Sequence, residues 1–244
     1  WREIGFGMAG NLGGATIKYQ LYLVNGFKSY DGVANLGGPN GLRSGRQRGA
    51  ESFISYPNLS AKVDFYGITG LNLGLAGYFG NTQSTLYNNL PKDNEILKVR
   101  ADSSVVKLAI LGLDARYTVG GLHFRGQYIL NMVDNTAAYN AFTGKDLGSQ
   151  MGGWYAEAAY NLLHVLKPAA QPLTLFARIE KYDLHAATEG GLARNKAYDM
   201  TEITAGLGYR IAEGAVIKTD VQFTKDRDQD KFQLSLNAGL GVNF

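Results

Sequence analysis

Along most of the chain, apolar and polar residues alternate one by one, the two-residue period of a strand with one oily face and one wetted face. The closing stretch KFQLSLNAGLGVNF (231–244) holds it longest, with Phe232, Leu234, Leu236, Ala238, Leu240, Val242 and Phe244 on one face and Gln233, Ser235, Asn237, Gly239, Gly241 and Asn243 on the other. The pattern predicts eleven strands, over 1–10, 15–25, 59–68, 71–80, 104–118, 122–131, 152–163, 172–182, 201–211, 215–225 and 231–244. A typical strand of a soluble protein has about 5 to 6 residues, whereas one that crosses a bilayer needs about 9 to 11. These segments match the second length.

The connections alternate as well. NLGG, TG, GG, HVLKPAAQ and AEG join strands by turns, while 26–58, 81–103, 132–151 and 183–200 are long loops rich in Gly, Asn, Asp and Ser; the even connection DRDQD is short. Short turns at one rim and long loops at the other are the arrangement of a transmembrane barrel.

The faces predict what each side meets. The oily set holds Leu108, Leu113, Ala115 and Tyr117, then Leu122, Phe124, Tyr128 and Leu130, and continues through Trp154, Leu175, Ile179, Ile203, Leu207, Ile217 and Phe223. The opposite set holds the candidate pore-lining charges Lys18, Lys62, Asp64, Asp114, Arg116, Arg125, Glu157, Arg178, Glu180, Glu202, Arg210, Lys218, Asp220 and Lys231. A dry core would charge roughly several kcal/mol for each of these ions, so that face must be wet. Phe223 and Phe232 beside one loop, and Tyr209 and Phe244 near the other rim, suit interfacial girdles. A soluble two-sheet sandwich would bury the leucines between layers, and a soluble ligand-binding barrel would be apolar within; both fit this pattern less well.

Composition narrows the class. Gly 32 and Tyr 15 against Pro 5 favour strands and turns. No cysteine is present, so there is no disulfide framework or thiolate metal site. A net charge of +3 is too mild to argue for nucleic acid. No apolar run reaches the ~18 to 20 residues of a membrane helix, and with no signal-peptide pattern at its start the sequence from Trp1 is expected to be processed or incomplete.

WREIGFGMAG, IKYQLYLVNGF, the loop GLRSGRQRG and the terminal GLGVNF resemble the C-terminal portion of bacterial outer-membrane porins of the phosphate-selective O/P type and related Bacteroidetes-like group. The terminal aromatic resembles an outer-membrane assembly signal. The resemblance implies an antiparallel β-barrel of about sixteen strands, trimeric, in the Gram-negative outer membrane among lipid and lipopolysaccharide, passing small anionic or neutral solutes by diffusion. It does not supply a residue-by-residue phosphate site. The reading treats 1–244 as a single barrel domain. Single-chain bacterial barrels normally have an even strand count, so eleven predicts further strands before Trp1, or a twelfth strand hidden in AESFISYP (50–57), where Pro57 argues for an edge or kink.

Candidate chemistry is sparse. Arg43, Arg46 and Arg48 cluster in a Gly-rich loop; folded into the mouth they would concentrate anions, and left on the surface they would bind anionic lipid or solvate the loop. The wall cations and anions nearly cancel, which predicts weak selectivity. Asp226, Asp228 and Asp230 lack the Gly and Glu of an EF-hand loop and suit a solvated hairpin tip. His123 on the polar face, His164 in a turn and His185 at the start of a long loop are not placed for outer-wall hydrolysis. No enzyme, cofactor or metal site is expected. A non-conducting scaffold that binds partners through its long loops is the alternative function.

Overall fold

The computed structural model describes residues 2–165 and 171–243; Trp1, Phe244 and 166–170 within the predicted HVLKPAAQ turn lie outside them. In chain order the strands are β1 (Gly5–Leu12), β2 (Ile17–Val24), β3 (Lys28–Tyr30), β4 (Asn58–Ile68), β5 (Leu71–Asn81), β6 (Gln83–Ser84), β7 (Lys107–Val119), β8 (Leu122–Asp134), β9 (Gln150–Asn161), β10 (Leu173–Ala187), β11 (Asp199–Ala212), β12 (Ala215–Asp226) and β13 (Gln233–Val242). Two helices, α1 (Glu95–Ser103) and α2 (Thr136–Thr143), lie in long connections.

All strands except β3 and β6 form one eleven-stranded antiparallel sheet in which each strand pairs with its sequence neighbours. These eleven are the predicted segments, with ends moved by a few residues. β3 and β6 form a separate parallel pair that ties two long loops together. AESFISYP contributes no strand: the fully buried Gln83 accepts from the amides of Ser55 (2.6 Å) and Tyr56 (3.0 Å) and donates to the Tyr56 carbonyl (2.7 Å), so a side chain satisfies that backbone in place of a ladder.

The sheet is curved, because one hollow of about 710 Å³ is lined from Arg116 on β7 across to Gln222 on β12. The charged face is the concave one. The convex face carries the leucines in the open, with Leu113 at 55% exposure and Leu236 at 76%. Tyr117 and Phe124 face each other toward the short-turn rim, while Phe79, Tyr128 and Trp154 stand exposed on the convex face nearer the long loops. No second layer covers this face among the described residues. β1 and β13 are not paired with each other, so the sheet has two open edges.

The buried apolar cluster lies at the long-loop end of the concave face. Leu108, expected on the oily face, lies instead on the Asp114 side: an unbroken register aligns it with Gly80 and Val133, and it is 1% exposed. Tyr78, Leu108, Val133 and Met151 from the wall pack there against Phe27, Leu36, Leu42, Tyr139 and Leu147 from the loops. The upper inner wall is apolar because folded loops cover it; the lower part is charged.

This arrangement predicts opposite tolerances for neighbouring faces. In lipid, Leu113→Arg should cost about 2–4 kcal/mol, the range for a cation near the bilayer midplane. Gln127→Arg, beside Asp114 on the concave face, should change stability by less than about 0.5 kcal/mol. Urea unfolding of the two variants in vesicles measures the difference.

Candidate functional site: the charged concave face and its inward loops

The strand register sorts the inner charges by height. One row crosses the sheet as Asp64, Gly74, Asp114, Gln127, Tyr155, Glu180 and Glu202. The next charged row toward the short turns reads Arg116, Arg125, Glu157 and Arg178. An acidic band therefore lies above a basic one, two residues apart along the strands, or about 7 Å.

Ion pairs brace these rows, and Arg178–Glu180 joins one to the other. Lys62 Nζ sits 3.0 Å from Asp64 and 3.1 Å from Asp114, reaching past β5. That reach depends on Gly74, where an added Cβ would stand 2.2 Å from the Asp114 carboxylate. Arg125 holds Glu157 with two hydrogen bonds of 2.8 Å, a bidentate geometry stronger than a single contact. Arg178 pairs with Glu180 and lies 4.0 Å over the Tyr155 ring. Lys18 is in register with Asp64 and stands 5.4 Å from the centre of the Tyr66 ring.

Nearer the short-turn rim, Arg116, Arg210 and Lys218 line the hollow with no ion-pair partner among the described residues. Asp220 accepts from Asn237 at 2.8 Å and Glu202 from Gln222 at 2.5 Å. Lys231 stands apart from the other sequence-selected charges: it lies in the bend before β13 and not on a wall strand. Asp226 caps its own turn, accepting from the amides of Asp228 (2.8 Å) and Gln229 (2.9 Å).

The loops are locked to the wall by buried polar contacts. Tyr139 of α2, fully buried, donates to the Ser29 carbonyl (3.0 Å) and accepts from the Leu36 amide (3.2 Å). Burial pushes its hydroxyl pKa up to about 12. Asp146 joins three connections: its carboxylate accepts from the Gly38 amide (2.6 Å) and the Tyr198 hydroxyl (2.8 Å), and its carbonyl meets His185 Nε2 at 2.6 Å.

The sequence pattern places His185 at the opening of a loop. It lies instead on β10, which runs on to Ala187 through a register shift after Asp183, and is 2% exposed. Its Nδ1 accepts from the Asn195 amide at 3.1 Å, so the ring is the tautomer with the proton on Nε2. Nothing local in the sequence signals this; the partners lie 10 and 39 positions away.

Arg43, Arg46 and Arg48 are exposed and surround a hollow of about 640 Å³ with Lys28, Asp31 and Glu51. Gly45 and Gln47 between them are buried, as is Leu42 just before them, and Gln47 donates to the Gly26 carbonyl (2.8 Å) and the Phe53 carbonyl (3.0 Å). The loop is thus pinned by its buried residues while its arginines stand exposed.

No protein-family model matches the sequence, and no curated protein matches it. Solved structures do. A porin refined at 1.8 Å superposes with a TM-score of 0.56 at 11% identity over 99% of this chain. The anion-selective porin from Comamonas acidovorans gives 0.53 at 13% over 99%, and the outer membrane channel DcaP of Acinetobacter baumannii 0.55 at 11% over 98%. The fold is that of a porin wall. This chain spans 62%, 54% and 60% of those three structures.

The loop anchor has a pH signature. Burial raises the Asp146 carboxyl, but hydrogen bonds from Tyr198 and Gly38 and the nearby His185 outweigh it, and the net effect holds it below the usual aspartate range. A lowered folded-state pKa stabilises above the unfolded value, about 3.9, and that contribution fades as pH falls through the lowered value. Loop protection measured by hydrogen exchange should hold from neutral pH to about 4 and drop below it. Asp146→Asn should flatten this acid-side dependence.

Proposed function

We propose that the chain forms wall of an outer-membrane porin, a water-filled passage for small hydrophilic solutes with a weak preference for anions. The observation that carries the reading is the inverted polarity: exposed leucines on the convex face, and a concave face whose lower part is charged and whose upper part is narrowed by packed loops. A soluble protein gains nothing from leaving such a belt in water. In lipid the belt is solvated, and the paired charges meet water inside.

On this reading the long loops lie at the outer rim, in contact with lipopolysaccharide, and the short turns face the periplasm. The open edges of β1 and β13 cannot persist in a bilayer, where unpaired backbone groups each cost about several kcal/mol. Further strands therefore complete the barrel, to about sixteen in total, with 1–244 as one part of a single domain. A homotrimer and membership of the phosphate-selective O/P type belong to the same proposal. Arg116, Arg210 and Lys218, which line the hollow and have no ion-pair partner among the described residues, are the wall groups an anion would meet.

Selectivity is set at two levels. In the middle of the wall most charges are paired and their fields largely cancel. At the mouth, Arg43, Arg46, Arg48 and Lys28 outnumber Asp31 and Glu51 around one hollow, and a positive entrance raises the local anion concentration.

Reconstitution of the intact protein in planar bilayers tests this. The expected record is stepwise, ohmic conductance with a reversal potential on the anion side in a salt gradient, moved toward cations by replacing Arg43, Arg46 and Arg48 with Ala. A silent bilayer containing folded protein, or a marked cation preference, would contradict it.

A further inference from the structure

Phe176 breaks the alternation of β10 as Leu108 breaks that of β7, but it stays outside the apolar cluster that the loops cover. It stands on the concave parity between Thr174 and Arg178, half-buried, and lines the hollow of about 710 Å³. Its cross-strand neighbours are Ala159 on β9 and Gly206 on β11, both too small to cover a phenyl ring. Asp220, next along that row, is turned away toward Asn237 on β13 (2.8 Å). Arg178 leans up the wall toward Glu180 and the Tyr155 ring. An apolar ring is left facing the wet side of the sheet, where contact with an apolar guest would remove it from water.

Two exposed cations lie on the rim side of that ring. Lys218 is in register with Gly208 on β11 and Gly239 on β13, and Arg210 with Val216, while the Arg210 amide donates to the Pro172 carbonyl (3.1 Å). Neither cation has an acid across the ladder, in contrast to Arg125 beside Glu157. Asp220, two residues from Lys218 on β12, is held by Asn237, and neither Lys218 nor Arg210 makes an ion pair among the described residues. The register itself thus keeps these two charges free, whereas those in the middle of the wall neutralise one another.

Phe176 is level with Gly206 and Asp220, so Lys218 stands two strands across and two residues down from it. At the usual strand spacing and rise this is about 12 Å between Cα positions. The lysine side chain closes part of that gap and leaves the length of one ring with a charged substituent. A compact anion would use the cations and leave Phe176 in water. A neutral aromatic would use the ring and leave the cations.

We propose that the lower wall carries a subsite for aromatic monocarboxylates, with the guest's ring packed against Phe176 and its carboxylate held by Lys218 and Arg210. The proposal rests on the concave face being the lining of a passage, and names one class among the anions that the passage favours.

The probe is benzoate, titrated near neutral pH against the intact folded protein in a nonionic detergent and read by saturation-transfer NMR, with empty micelles as the blank. Acetate, which lacks the ring, and benzamide, which lacks the charge, are the comparisons; each should bind at least about fivefold more weakly than benzoate. Phe176→Ala should weaken benzoate about threefold to tenfold and leave acetate unchanged. Lys218→Met, similar in length but uncharged, should weaken benzoate about fivefold and leave benzamide unchanged. Benzoate bound no more tightly than acetate, or no more tightly than benzamide, would overturn the subsite, as would undiminished benzoate binding in folded Phe176→Ala. The comparison of the three ligands needs no variant, so it decides the matter even if Phe176→Ala does not fold. Because binding is read without current, a protein that conducts but shows no benzoate preference sinks this subsite alone, and one that binds benzoate but does not conduct sinks the channel.

Discussion

The backbone hydrogen-bond ladder, laid out with a period of two, is the constraint on which the rest of this structure depends. Inside a bilayer a strand has no water to satisfy its amides and carbonyls, so each must pair with a neighbour. Once paired, its side chains can only point outward or inward. That geometry places Leu113 in the open on the convex face one position before Asp114 meets Lys62 on the concave one. A shift of one residue in any strand would exchange the two sets.

The inner face then meets a problem that a uniform lining would not solve. Loops can fold inward only if something apolar receives them. The wall provides this at its upper end, where Tyr78, Leu108, Val133 and Met151 replace the charges found lower down. Buried hydrogen bonds fix the arrangement where hydrophobic contact alone would leave it free to slide. Tyr139 binds one loop, Asp146 joins three, and Gln83 holds an extended segment that no ladder supports. The exposed arginines of the first long loop are carried by this buried layer, which sets their position over the hollow.

The strands were legible because their signal is local. Alternation located all eleven wall strands from single segments, and the long and short connections followed from their spacing. The inward loops were not legible, because the signal for them is an exception to the alternation. Leu108 stands on the charged parity, so its apolar side chain marks an apolar patch within the concave face and not a place on the oily one. His185 was invisible for another reason: its partners come from other loops, and no spacing rule connects them. The helices α1 and α2 escaped because nine and eight residues inside loops carry little periodicity to read. Of the candidate charges, those on wall strands share the concave face as parity requires, while Lys231 falls in a bend where parity has no meaning.

The central claim is that one face of this sheet meets lipid and the other meets water, and the absence of cysteine from the chain makes it directly measurable. Single cysteines placed at successive positions 111 to 118 of β7 can carry a nitroxide, and its collision rates with oxygen and with a water-soluble nickel complex can be read in liposomes. The account predicts a two-residue oscillation, with oxygen favoured at Leu111, Leu113, Ala115 and Tyr117 and nickel at Gly112, Asp114, Arg116 and Thr118. Equal access of the nickel complex to both sets would contradict it.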